Sequence, residues 1–121
     1  MTHSLEDLKS GQLIGLKRLK LAYGLTEFPE EILTLADTLE ILDLSDNKMS
    51  ELPSDIHKLK KLKIIFFGSN NFTEFPAVLS KCSSLSMIGF KSNQIHLVPE
   101  NAFPSSLRWF CLLYTSPSPR D

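Results

Sequence analysis

Residues 39–61 read LEILDLSDNKMSELPSDIHKLKK, and residues 62–84 read LKIIFFGSNNFTEFPAVLSKCSS. Set one beneath the other, their apolar residues, an asparagine and a proline coincide. A further copy, LSMIGFKSNQIHLVPENAFPSS, starts at Leu85, and LRWF restarts the cycle at Leu107, so the spacings are 23, 23 and 22. Upstream, LKRLKLAYGLTEFPEEILTLADT from Leu16 is an earlier copy, one residue short near its turn. The shared pattern is LxxLxLxxNxLxxLPxxIxxLxx. A unit this small cannot bury its apolar face alone, so the copies are expected to stack into one continuous core.

Each part of the pattern has a physical reason. In a strand, side chains two residues apart point the same way, which sends Leu19/Leu21, Leu42/Leu44, Ile65/Phe67 and Ile88/Phe90 inward. Parallel strands are therefore expected near residues 18–21, 41–44, 64–67, 87–90 and 108–110, wound as a right-handed solenoid. Asn47, Asn70 and Asn93 follow at a fixed offset, where the chain leaves the strand and its polar groups lose ladder partners. An amide side chain carries both donors and an acceptor, so stacked asparagines can satisfy those groups turn after turn. The first copy has Gly24 at that point, which predicts an irregular turn. Pro29, Pro53, Pro76 and Pro99 open the convex side, expected to be short helices or helical turns with Ile32/Leu35, Ile56/Leu59 and Leu79/Cys82 facing inward. The fold class is thus α/β.

At the N-terminus, Ser4 and Asp7 read as a capping box, Leu5 and Leu8 as an apolar stripe, and Gly11 as a helix stop. Residues 1–15 are expected to form a helical cap and residues 16–110 the repeats, four full and one truncated. No C-terminal cap is expected, leaving Leu107, Phe110, Ile88, Phe90 and Ile95 poorly covered on that side.

Composition narrows the functions. The net charge of −1 and hydrophobic content of 42% describe an ordinary globular chain, without the basic surplus that nucleic-acid binding by counterion release requires. No apolar run reaches the ~18 residues of a membrane span, and no apolar core marks the start as a secretory signal. Two cysteines, Cys82 and Cys111, are too few for a disulfide scaffold, which points to a cytoplasmic setting. His3, His57 and His96 read as solvated surface histidines without metal-ligand spacing, and Cys82 as a small buried hydrophobe. No catalytic, metal or cofactor site is expected, and no small-molecule substrate.

Binding of a protein partner is what remains. Residues flanking the inward pairs face out of the concave side in three columns: Arg18, Ile41, Ile64, Met87, Trp109; then Lys20, Asp43, Phe66, Gly89; then Ala22, Ser45, Gly68, Lys91. The first turns apolar after Arg18, and Phe66 lies beside it, as expected of an interaction patch. Arg18 and Lys20 make the first-repeat end basic, suiting a partner with an apolar body and an acidic end. The candidate contact residues are Arg18, Lys20, Ile41, Asp43, Ile64, Phe66, Met87, Lys91 and Trp109.

The consensus LxxLxLxxNxLxxLPxxIxxLxx resembles the leucine-rich repeats of intracellular proteins, plant and bacterial. Residues 4–110, most distinctively GLTEFPEEI and FPSSLRWF, resemble the opening of bacterial proteins that join such repeats to a C-terminal protein kinase domain of Ser/Thr type. That resemblance implies a recognition module ahead of a kinase; no kinase signature is present in these residues, so no catalytic role transfers. The alternatives are the repeat region of a bacterial effector of the ligase type and a stand-alone repeat scaffold. Residues 111–121, CLLYTSPSPRD, break the pattern. They resemble one reading frame of a transposase adapter used to prepare sequencing libraries, which implies a non-native tail without regular structure.

Overall fold

The computed structural model describes residues 3–111. Helix α1 (Leu5–Lys9) is followed by five strands that pair in chain order: β1 (Arg18–Lys20), β2 (Ile41–Asp43), β3 (Ile64–Phe66), β4 (Met87–Gly89) and β5 (Trp109–Cys111). Every pairing is parallel and in one register, with Leu19, Leu42, Ile65, Ile88 and Phe110 aligned across the sheet. The sheet is the expected solenoid of stacked repeats, and each strand falls within about a residue of its expected place. β5 reaches Cys111, one residue into the stretch assigned to the tail. Parallel pairing uses backbone groups only, so the register carries on beyond the last patterned side chain. The expectation for residues 112–121 lies outside the described residues.

The convex side is built from tight helical turns. Three 3₁₀ segments, η1 (Glu30–Leu35), η2 (Ser54–Lys58) and η3 (Ala77–Lys81), each begin directly after a proline. Pro29, Pro53 and Pro76 hold φ at −65°, −72° and −72°. Each accepts at its carbonyl from the amide three residues on: Ile32, Ile56 and Leu79, at 3.1, 3.2 and 3.1 Å. Those same three residues are fully buried, so the proline both starts the turn and aims its apolar residue inward. After Pro99 no such segment forms. Asn101 takes a left-handed φ of 57°, and Ala102, fully buried, fills the place that Leu79 holds one repeat earlier.

Where each strand ends, one asparagine serves two turns. The Asn70 amide nitrogen donates to Leu44 O of the preceding repeat at 2.9 Å and to Phe67 O of its own at 3.0 Å, while its oxygen accepts from Met49 N at 3.0 Å. Asn93 repeats this with Phe67 O, Phe90 O and Phe72 N at 2.8, 3.0 and 3.0 Å. Asn47 bonds Leu21 O and Leu44 O at 2.8 and 2.9 Å. Leu44 O and Phe67 O thus each receive two asparagines, which links the three amides into one ladder. All three are at most 6% exposed. The residue before each, Asp46, Ser69 or Ser92, is left-handed, with φ of 63°, 56° and 60°. The first copy lacks its asparagine, and its turn is irregular as expected. Gly24 takes φ of 67°, and Asn47 Oδ1 compensates by accepting from both Tyr23 N and Leu25 N, at 3.0 and 2.9 Å. The missing residue is regained before Leu39, where Thr38 Oγ1 donates to Leu16 O at 2.8 Å.

At the N-terminal end, Ser4 Oγ accepts from Asp7 N at 3.3 Å, Leu8 is buried, and Gly11 stops the chain at φ 86°. The other end departs from expectation. Ile88 and Phe90 are fully buried rather than poorly covered. Here the core switches from leucine to phenylalanine. Phe90 lies 5.0 Å edge-on from Phe72 and 5.6 Å from Phe75, and Phe75 meets Phe103 and Phe110 at 4.8 and 5.4 Å. Large rings bury more area per residue than leucine, so one further partial repeat suffices to cover repeat four. Exposure moves outward instead, to Leu97, Val98 and Phe103 at 52%, 40% and 40%.

Two outcomes follow from this core. Asn70→Ala removes the partner of the buried Met49 amide, leaves Leu44 O and Phe67 O with one asparagine each, and is expected to lower unfolding free energy by roughly 1–3 kcal/mol. Asn71, exposed and only 3.5 Å from Lys48 O, should tolerate alanine within about 0.5 kcal/mol; denaturant titration of both variants checks the contrast. Burial raises the Cys82 thiol from 9.0 to about 11. Its protonated form is favoured in the fold, so the stabilisation is complete below the unfolded value and disappears as pH climbs through the folded one. Stability is therefore expected to fall between about pH 9 and 11. Cys82→Ala, compared with the parent by thermal melting across that window, should remove the slope.

Candidate protein-binding face

The strands are three residues long, and only the middle residue of each points into the core. Their outer residues form the concave surface. The constant register places Arg18 beside Ile41, Ile64, Met87 and Trp109, and Lys20 beside Asp43, Phe66 and Gly89. The columns expected from the repeat are thus assembled as continuous rows across the sheet. Ile41, Ile64, Met87 and Phe66 are half-buried, because neighbours ~4.8 Å apart shield one another's flanks. Arg18 and Lys91 are exposed, Lys20 and Asp43 half-buried, and Trp109 is 44% exposed.

Two depressions flank Phe66. The larger, about 330 Å³, is lined by His3, Arg18, Leu19, Lys20, Ile41, Asp43 and Phe66. The smaller, about 100 Å³, is bounded by Ser45, Phe66, Gly68, Gly89, Lys91 and Trp109. Gly89 makes the smaller one. A Cβ there would lie 3.0 Å from Cδ1 of Phe66 and 3.9 Å from Cζ3 of Trp109. Without it, the Phe66 ring packs onto the Gly89 backbone, and the small depression lies beside that contact, toward Trp109 and Lys91. The sequence pattern showed Gly89 only as a member of a column; the signal available was a glycine in a strand, which marks a close approach.

Charge is distributed unevenly. Asp43 Oδ1 accepts from Ser45 N at 3.0 Å, so its carboxylate is engaged by its own turn. The ion pairs among the described residues are Lys58–Asp55 at 3.8 Å and Lys63–Glu40 at 4.0 Å, neither involving Arg18, Lys20 or Lys91. Among the described residues, Arg18, Lys20 and Lys91 thus form no ion pair, and Asp43, beside Lys20, is the acid of these columns.

His3 departs from the sequence reading. It is half-buried, not a solvated surface histidine, and it lies along the free edge of β1. Its N–H donates to Lys20 O at 2.7 Å, its Nδ1 accepts from Lys20 N at 3.1 Å, and Tyr23 Oη donates to His3 O at 2.6 Å. An edge strand leaves backbone groups unpaired, and the N-terminal segment pairs them here. His57 and His96 are exposed. Among the described residues no group of three or more His, Cys, Asp and Glu is placed to hold a metal ion, and no helix is long and apolar enough to cross a membrane.

Known proteins share this architecture. The leucine-rich repeat domain of the type III effector XopL is 18% identical over 89% of this chain and 40% of its own, with a TM-score of 0.75. A leucine-rich repeat protein of Leptospira interrogans is 19% identical over 93% of this chain and 34% of its own, with a TM-score of 0.61. Vasorin of Xenopus tropicalis is 45% identical over 51 residues, 41% of this chain and 8% of that protein. The chain thus spans a small part of that relative and less than half of the two structures. A model of the leucine-rich repeat region matches residues 2–100, most of the chain. On that match, carried by the same residues that build the stacked strands and the asparagine ladder, the chain belongs to the leucine-rich repeat region family.

Proposed function

We propose that this chain is a protein-recognition module and that its concave face, the row Ile41–Ile64–Met87–Trp109 with Phe66, is the contact surface. The observation that carries the reading is the notch at Gly89. There Phe66, packed on the Gly89 backbone, and Trp109 border a depression of about 100 Å³. Aromatic residues at the centre of a surface are the usual anchors of binding energy. The resemblance of residues 4–110 to repeat–kinase proteins supports a role in recruiting or regulating a Ser/Thr-type kinase domain of a longer, cytoplasmic bacterial protein. The repeat region of an effector, or a stand-alone scaffold, is the alternative. Reading the coding sequence of the native protein for a Gly-rich loop followed by HRD and DFG motifs separates these.

The surface is tested by a photo-crosslinking residue placed at position 91 on the concave face, in the cells that express the protein. A discrete adduct is expected. Phe66→Ala with Trp109→Ala should weaken it about tenfold, as befits loss of more than ~1 kcal/mol at an anchor. His57→Ala with Lys81→Ala, on the convex side, should leave it unchanged. An adduct lost through the convex pair and retained in the concave pair overturns the proposal.

A further inference from the structure

The two depressions beside Phe66 differ in chemistry, and their separation is fixed by the sheet. The larger is rimmed by Arg18 and Lys20 on β1. The smaller has Phe66 and Trp109 as walls, Gly89 on β4 as floor and Lys91 on its rim. β1 and β4 are three ladder steps apart, about 14 Å at ~4.8 Å per step. An extended peptide rises ~3.4 Å per residue, so about four residues bridge that distance. Side chains alternate in such a segment, so residues i and i+4 face the same way and both can enter the sheet surface. The even spacing matters, since an odd one would turn one of the two toward solvent.

Resting on the concave-face reading, we infer that the partner presents an extended acidic segment running across the strands. Its carboxylate is held by Arg18 and Lys20, and an apolar side chain about four residues away sits in the notch between Phe66 and Trp109. The residue midway lies ~7 Å from β1, between Asp43 on β2 and Phe66 on β3, where the flank of the Phe66 ring leaves room only for a small side chain. Three features of the face select this occupant. Arg18, Lys20 and Lys91 enter no ion pair among the described residues. Asp43, the acid across from Lys20 in the same depression, turns one carboxylate oxygen to Ser45 N at 3.0 Å, and the two cations Arg18 and Lys20 outnumber it there. The notch, about 100 Å³, is sized for one compact side chain rather than a helix face or a nucleobase. A net charge of −1 on the chain further disfavours a polyanion such as single-stranded nucleic acid, which gains most from a broad basic surface.

The chain contains one tryptophan, Trp109, so its fluorescence reports on the notch directly. Blocked synthetic peptides of the form Glu–spacer–Leu, with Ser and Gly spacers of graded length, are titrated into the full chain. Three spacer residues should give the tightest binding, about tenfold better than two or four, since those place Glu and Leu on opposite faces. Lys for Glu, or Ala for Leu, should each weaken it comparably, and added salt should weaken the acidic peptide. Arg18→Glu and Lys91→Glu, both at exposed positions, should abolish the preference for acid with the melting temperature unchanged. Gly89→Ala should reduce the response by filling the notch. Equal binding of the Lys peptide, indifference to spacer length, or an equal response to oligothymidylate overturns the inference. A fluorescence response absent from every peptide, while Trp109 remains open to a small quencher, also overturns it. In any of these cases the crosslink at position 91 still decides the concave-face reading separately.

Discussion

The asparagine that joins one turn to the next is the constraint on which the molecule rests. Strands of three residues make few ladder bonds, and each is followed by a sharp exit where backbone groups point into the interior. Buried and unpaired, each such group costs roughly 1–3 kcal/mol. Asn47, Asn70 and Asn93 meet this by bonding both their own strand exit and the turn before it, so that Leu44 O and Phe67 O are each shared between successive amides. The residue before each must then be left-handed, as Asp46, Ser69 and Ser92 are. Asp is among the side chains that tolerate that region, while the two serines are held there by the surrounding bonds.

A ladder of this kind admits one register. If each asparagine must reach the carbonyl of the previous turn, neighbouring strands cannot slip, and every column of outward residues is locked across the sheet. The concave face is therefore a grid whose rows are spaced by the hydrogen-bonding distance. The convex side is free of that constraint, which is why it tolerates η1 of six residues, η2 and η3 of five, and a plain turn around Asn101. Variation in length is absorbed there, as in the first copy, where Thr38 helps restore the phase before Leu39.

Much of this was legible in the sequence because periodicity reports on what repeats. The strand positions, the inward pairs, the buried asparagines and the proline-led turns all follow from recurrence, and the structure places them within about a residue. What recurrence does not report is the singular residue. His3 lies outside the repeats, and its pairing with the edge of β1 depends on a tertiary approach that no local pattern encodes. The burial of Ile88 and Phe90 was misread for a related reason. Counting repeats suggested an open end, whereas the volume of Phe75, Phe103 and Phe110 closes it. Residue size, not residue class, decided that outcome.

The candidate site follows the same division. Its rows were readable from spacing, but its relief was not, because a column of side chains becomes a pocket only where one member is missing. Gly89 is that member: Lys20, Asp43 and Phe66 fill their places in the row, and at the fourth the backbone is bare, so Phe66 leans over it. A side chain restored there would meet the Phe66 ring at 3.0 Å and push it aside, changing the relief at an outward position while the inward residues and the asparagines stay as they are. Fold and surface relief are thus carried by different positions of the same repeat. The inward positions and asparagines hold the stack, and departures from uniformity on the outer positions give an otherwise self-similar surface a direction, basic at β1 and aromatic toward β5. On the concave-face binding proposed above, a partner that senses this polarity would dock in only one sense along the sheet, which is how departures from uniformity would give a repeated scaffold a specific address.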